Sequence, residues 1–315
     1  MVSSLVLLMT LVSSSALEGD YTVFEVSGIL ARKALPGHLS SDGLTLYFSM
    51  EAEDGMEKVY YVKRRSLKAP WKKPVLQPGM INRYQSIQDT IKNSMIINNS
   101  HPTITDNRLR LVYVRNHTDK WEGNDLWFAT RSAKKNPFDD VQSLSELNTD
   151  SSSESYPFLS RDGARLYYTA NDRIVVSEFN NTSGLFERPD TLELPIDEPI
   201  VSCFLSRDEN TILLTGYSSN ILQLKRTSLN SPFEVIDSLI LPDSIGYFSS
   251  PSLSDNGELY LYASISEDFY DRLMASDLND WDSKARKKKN EPVPELFPEG
   301  VETAGIILIL ERRGD

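Results

Sequence analysis

"SESYPFLSRDGARLYYTA", residues 153–170, sets a proline, a Leu-Ser pair, an Asp-Gly turn and an aromatic run in one short order. Asp-Gly tolerates the positive φ of a tight turn, and alternating apolar and polar residues on either side read as two antiparallel strands. The stretch is therefore a hairpin. It matters because it is not alone.

Four altered copies surround it. They read "LSSDGLTLYFSM" from Leu39, "ITDNRLRLVYVR" from Ile104, "LSRDENTILLTG" from Leu205 and "LSDNGELYLYAS" from Leu253. A second marker follows each copy: Trp71, Phe138, Phe186, Phe233 and Trp281, with Pro70, Pro137 and Pro232 directly before three of them. After a longer first step these aromatics recur roughly every 48 residues, the mark of a repeat architecture in which each unit buries its faces on its neighbours. Between the markers lies a third strand, at 58–65, 125–131, 173–179, 221–227 and 272–278. A fourth follows the aromatic, as in "DTLELP" at 190–195 and "EVIDSLILP" at 234–242. Four antiparallel strands in each of five units predict an all-β fold, a five-bladed β-propeller.

The units resemble the WD40-like repeat of the TolB-type propellers, whose pattern is close to P-x-L-S-x-D-G-x-x-L-Y-F, then D-I-Y-x-A-x-R, then x-P-W. "YPFLSRDGARLYYTA" and "GNDLWFATRSAKKNPF" match best, and the fourth unit, with "DEN" in place of "DG", departs most. The resemblance covers residues 35–285. It implies blades rather than an activity, since the shared residues build the sheets. Proteins of this kind are commonly exported bacterial proteins used for protein contacts, often at the cell envelope.

Outside the repeats, residues 1–16 read as a signal peptide: an apolar run from Leu5 to Val12, then small residues at Ser14 and Ala16, though without a Lys or Arg before the run. Residues 17–34 form a lead-in containing a strand candidate at 21–28. Residues 286–315 hold the end of the basic run "KARKKK" (284–289), read as a solvated loop, and an apolar strand at 304–311 that closes or flanks the ring. Four sequons begin at Asn98, Asn116, Asn180 and Asn181. With 33 Lys and Arg against 45 Asp and Glu, a net charge of −12, nucleic acid is excluded as a general partner. Membrane contact is at most peripheral. The single cysteine, Cys203, reads as a small buried core residue.

No nucleophile elbow, zinc-binding H-E-x-x-H or phosphate-cradling glycine loop is present. Three histidines, His38, His101 and His117, are too few and scattered for a zinc site, so neither metal nor cofactor is called for. The turn acids Asp42, Asp106, Asp162, Asp208 and Asp255 fall in separate units and read as acceptors for their own turn backbones. Residues just ahead of each Leu-Ser marker should line the channel mouth, including Pro36, His38, Ser202 and Ser250. The binding candidates there are Asn99, His101, Glu154, Tyr156, Glu198 and Phe248. Glu154 and Glu198 are the acids of this rim. They read either as solvated loop carboxylates or as the pair a glycosidase needs. The sequence thus points to an exported, non-catalytic propeller that serves as a protein-interaction scaffold, with a carbohydrate-binding propeller or a five-bladed glycoside hydrolase as the alternative.

Overall fold

The computed structural model of the protein describes residues 21–25, 34–67, 69, 71–83, 97–117, 123–216, 220–240, 245–253, 259–266 and 303–312. They form an all-β propeller. Strand β1 (Tyr21–Glu25) is followed by blade 1, made of β2 (Ala34–Leu39), β3 (Thr45–Glu51), β4 (Glu57–Lys63) and β5 (Val75–Leu76). Blade 2 comprises β6 (Ile97–Ile104), β7 (Arg110–His117), β8 (Asn124–Thr130) and β9 (Asp140–Ser143). Blade 3 comprises β10 (Ser155–Leu159), β11 (Arg165–Ala170), β12 (Arg173–Asn180) and β13 (Leu185–Phe186), with β14 (Asp190–Thr191) also on β12. Blade 4 is β15 (Ser202–Leu205), β16 (Thr211–Thr215), β17 (Asn220–Lys225) and β18 (Glu234–Ile240). A further sheet joins both ends of the chain, in the order β1, β21 (Thr303–Arg312), β20 (Leu259–Ser266), β19 (Ile245–Leu253). All strand pairs within these sheets are antiparallel.

The third strands fall where the sequence places them, apart from 272–278, which lies outside the described residues along with the leader, the basic run, Asp255 and Trp281. Blade 3 departs at its edge. Only Asp190–Thr191 of "DTLELP" is strand, and Leu185–Phe186 supplies the other short piece of the outer strand.

The hairpin of residues 153–170 turns through the four residues Ser160–Gly163 and is held by a hydrogen-bond box. The Ser160 hydroxyl donates to Asp162 Oδ1 at 2.8 Å, and the Ala164 N–H donates to the same oxygen at 2.9 Å. Ser160 Oγ in turn accepts the Arg165 N–H at 2.9 Å. The Ala164 N–H, outweighing partial burial and joined by the Ser160 hydroxyl, holds Asp162 below the usual carboxylate range. The box recurs around Ser40 and Asp42 in blade 1 and around Ser206 and Asp208 in blade 4.

Blade 2 corrects one expectation. There Asn107, not Asp106, accepts from the Thr105 hydroxyl (2.7 Å) and the Leu109 N–H (2.9 Å). Asp106 stands one residue earlier, in register with Arg161 and Arg207, and pairs with both of them. Its carboxylate joins blades rather than closing its own turn.

The fourth residue of each turn has left-handed backbone: Gly43 at φ 64°, Arg108 at 56°, Gly163 at 75° and Glu209 at 59°. A Cβ at Gly163 would also lie 2.8 Å from Thr105 Cγ2 in blade 2. The "DEN" variant of blade 4 thus places a non-glycine residue where strain is expected. Its side chain offsets that strain, because Glu209 accepts two bonds from Arg165 and one from the Tyr167 hydroxyl, all at 2.6 Å, across the blade 3–4 boundary.

A second repeated device explains the aromatic marker. Seven residues before Trp71, Phe138 and Phe233 stand Arg64, Arg131 and Arg226, whose guanidiniums lie over those rings at 4.6, 4.3 and 4.6 Å. In each, Nε donates to a carbonyl of the inner-hairpin turn: Gly43, Arg108 and Glu209 respectively. Blade 3 has Phe179 at the matching place. Its ring meets Phe186 edge-on at 5.1 Å and carries the guanidinium of blade 2's Arg110 at 4.4 Å. Apolar cores between the sheets complete the packing. One cluster gathers Val112, Leu126 and Phe128 of blade 2 with Leu166, Tyr168 and Phe186 of blade 3. Another joins Tyr47 and Val59 of blade 1 to Leu111, Tyr113 and Phe138 of blade 2.

Arg226 tests the clamp. It is buried, and it also donates through Nη1 to the Leu229 carbonyl at 3.0 Å. Arg226→Ala leaves the buried Glu209 carbonyl and the Leu229 carbonyl without their cationic donor and should cost about 3 kcal/mol, read as a lower urea midpoint at unchanged slope. Arg226→Lys should recover less than half, since an ammonium cannot fork between two carbonyls.

Candidate functional site

The inner strands β2, β6, β10, β15 and β19 run from one mouth of the central channel toward the turn boxes at the other. Register shifts interrupt four of them, between Pro36 and His38, Ser100 and Thr103, Ser155 and Phe158, and twice in β19. At the same place three non-glycine residues adopt left-handed backbone: His101 (φ 48°), Tyr156 (49°) and Ser250 (54°). Each directly precedes a proline, Pro102, Pro157 or Pro251. Strain of this kind persists only where the surroundings enforce it, and it collects at binding sites.

The bulges bring His101 and Tyr156 together at the mouth, ring centroids 4.4 Å apart and edge-on. His101 Nδ1 shares a 2.9 Å hydrogen bond with Ser100 Oγ, and its Nε2 is buried with no hydrogen-bond partner. Burial lowers the imidazole pKa to about 4, so the ring is neutral at physiological pH. Beside it, Ser250 N–H donates to Ser202 Oγ at 2.9 Å, tying β19 to blade 4.

The other rim residues divide. Asn99 is buried and gives its Oδ1 to Arg115 Nε at 2.9 Å. Arg115 also donates to the Tyr113 hydroxyl and lies 4.1 Å over the Trp127 ring. Asn99 therefore serves a buried network within blade 2 rather than an open rim. Glu154 is not a solvated loop carboxylate; it is 1% exposed. Its oxygens accept from the Thr149 hydroxyl (3.1 Å), from Ser152 Oγ and from the Thr149 N–H. Burial raises its pKa against the opposing bonds from Ser152 and Thr149, and Asp125 adds to the rise. Glu198 is half-buried and lines a cleft of about 280 Å³ with Arg173, Ile174, Leu192, Leu194 and Ile196. A Cβ on Gly216 would stand 2.8 Å from its Oε2, so the glycine makes room for this carboxylate. Phe248 lies in β19, and its side chain is outside the described set, as is that of Pro36. Cys203 is partly rather than fully buried, and burial pushes its thiol up to about 12.

Deeper in, the channel is filled. His38 of blade 1 meets Phe158 of blade 3 at 5.9 Å, and Phe158 meets Phe204 of blade 4 edge-on at 5.4 Å. Thr103 Oγ1 contacts His38 Nδ1 at 3.3 Å and accepts the Leu159 N–H at 3.0 Å. All four residues are buried, so the mouth is a shallow well above a plug. Burial first, then Arg207 and Arg108, lowers the His38 pKa to about 3. Sequence reasoning placed His38 on the rim and missed the plug. The signal was the residue directly before each Leu-Ser marker, which is His38, Thr103, Phe158 and Phe204 in blades 1–4. Among the described residues no group of three His, Cys, Asp or Glu side chains could hold a metal.

No family model matches the chain, and no curated protein matches its sequence. The TolB-type resemblance thus stands on the repeat motif alone. Among solved structures, the chain is similar to a luciferin-regenerating enzyme, with TM-score 0.51 and 10% identity over 94% of this chain and 97% of that one. It is also similar to a thermostable family-43 glycoside hydrolase, with TM-score 0.51 and 14% identity over 91% and 96% of the two chains. A gluconolactonase from Xanthomonas campestris follows at TM-score 0.47 and 9% identity over 94% and 90%. At such identities the likeness is one of fold. The two of these with a TM-score above 0.5 are both enzymes, and against them the expected non-catalytic scaffold is given up.

The neutral histidines give a pH signature. Their folded pKa values lie below the unfolded value near 6.5, so the stability they contribute is complete above pH 6.5 and falls as pH drops toward their folded values. For fully buried His38 the loss approaches about 1.4 kcal/mol per pH unit. Urea unfolding between pH 7.5 and 5, above the range in which the turn aspartates titrate, should show this slope, and His38→Gln should flatten it.

Proposed function

We propose that the protein is a five-bladed propeller that acts on carbohydrate at the inner-strand mouth, as a glycoside hydrolase by reaction class. The sheet shared by the two chain ends is read as the fifth blade. The observation that carries the functional reading is the pair at the well. An aromatic ring and an imidazole are held side by side on enforced left-handed backbone. A sugar has apolar faces that stack on such a ring and hydroxyls that exchange hydrogen bonds with polar groups around it.

Glycoside hydrolysis also needs a carboxyl that stays protonated near neutral pH and a second that stays ionised. Glu154 has the environment for the first role, being buried with its pKa raised. Glu198, ahead of the adjacent inner strand, is the candidate for the partner carboxylate. The resemblance in fold to a glycoside hydrolase over nearly the full chain supports the same class. A carbohydrate-binding propeller without turnover is the second reading, favoured by the hold that Thr149 and Ser152 keep on Glu154. Export through the N-terminal leader is carried forward as part of the proposal.

A panel of 4-nitrophenyl glycosides and neutral oligosaccharides separates these readings. Hydrolysis of one glycoside class, lost by about a hundredfold or more in Glu154→Gln and Glu198→Gln while sugar binding persists, is the expected result. Tyr156→Ala should weaken sugar binding itself. Binding with no turnover would select the second reading, and neither binding nor turnover would overturn both.

A further inference from the structure

We propose that the turn-side mouth of the channel, opposite the carbohydrate well, binds a phosphate-type oxyanion through Arg108, Arg161 and Arg207. These three guanidiniums come from the turns of blades 2, 3 and 4. Arg161 Nε meets Asp106 Oδ2 at 2.5 Å, and Arg207 pairs with the other oxygen of the same carboxylate. Arg108 meets Asp42 of blade 1 at 3.3 Å. Blades 2 and 4 are not neighbours, so the Arg207–Asp106 pair spans the channel axis and draws the cluster to the centre of the disc.

Three fixed cations thus face two paired carboxylates, in a chain whose net charge is −12. The remaining acids of these turns are engaged elsewhere: Asp162 and Asp208 in their own boxes, Glu209 with Arg165 and Tyr167. The Arg161 side chain is 67% exposed and meets Asp106 through Nε, which leaves its two terminal nitrogens outside that pair. Forked donors arranged around a common centre match the several oxygens of a tetrahedral anion. Asp106 occupies part of that place in the absence of ligand and competes with it. A merely structural ion triad makes the opposite prediction, that removing Asp106 weakens everything.

The test titrates the full chain with sodium phosphate against sodium chloride at matched ionic strength, following the melting temperature and the heat of binding. Phosphate should raise the melting temperature beyond the chloride control. Arg161→Gln, at an exposed side chain, should weaken phosphate binding about tenfold. Asp106→Asn should tighten it several-fold even if the variant melts lower. Three results would each overturn the proposal: no phosphate-specific effect in the parent chain, equal affinity in Arg161→Gln, or unchanged or weaker affinity in Asp106→Asn. Sugar binding at the opposite mouth serves as an independent check that each variant is folded, and where no sugar binds, the cooperative urea transition takes its place.

Discussion

A β-hairpin that turns within four residues leaves backbone N–H groups pointing inward with no strand partner. In this protein one side-chain hydroxyl and one side-chain carbonyl or carboxylate oxygen satisfy them, four times over. The rest of the structure depends on that local solution. It fixes where each inner strand ends, and therefore which residue stands immediately before the turn and points at the axis. It also presents a turn carbonyl to the arginine of the third strand, which in blades 1, 2 and 4 reaches back over its own aromatic ring. Local turn, blade edge and neighbouring blade are thereby linked through a few donor–acceptor pairs. Apolar burial supplies most of the energy, but it is non-directional and would not by itself set the register.

This hierarchy explains why blade positions were legible in the sequence and site positions were not. Ser-x-Asp-Gly announces a turn wherever it occurs, because its residues act within four positions of one another. Blade 2 shows the limit of such reading. "TDNR" contains an acid in nearly the right place, yet Asn107 fills the role and Asp106 is released to act across the axis. A shift of one residue cannot be heard in composition or period. It emerges only once the neighbouring blades supply Arg161 and Arg207. Glu209 makes the same point in reverse, since a residue that looked like decay of the motif accepts three short hydrogen bonds from blade 3.

The rim was legible as a list of residues but not as an arrangement. Asn99, His101, Glu154 and Tyr156 were all named from their distance to the marker, and all lie at the starts of inner strands. Which of them faces a ligand depends on the bulges, and a bulge leaves only an indirect trace, the proline after His101, Tyr156 and Ser250. Asn99 turned inward to a buried arginine, while Glu154 turned into its own loop. Side-chain direction at an irregular strand start is a property of the assembled blades.

The sheet that unites Tyr21–Glu25 with Thr303–Arg312 has a consequence in time rather than in space. Strand β1 finds its hydrogen-bonding partner β21 only after residues 26–302 between them have been made. At typical synthesis rates that interval is about 15 to 60 s. Blades 1 to 4 can condense in order of their appearance, each on the one before. Throughout, β1 waits with an open edge, the kind of surface that recruits strands from other molecules. For this chain, successful folding is a matter of keeping one short strand unspent until β21 has been made.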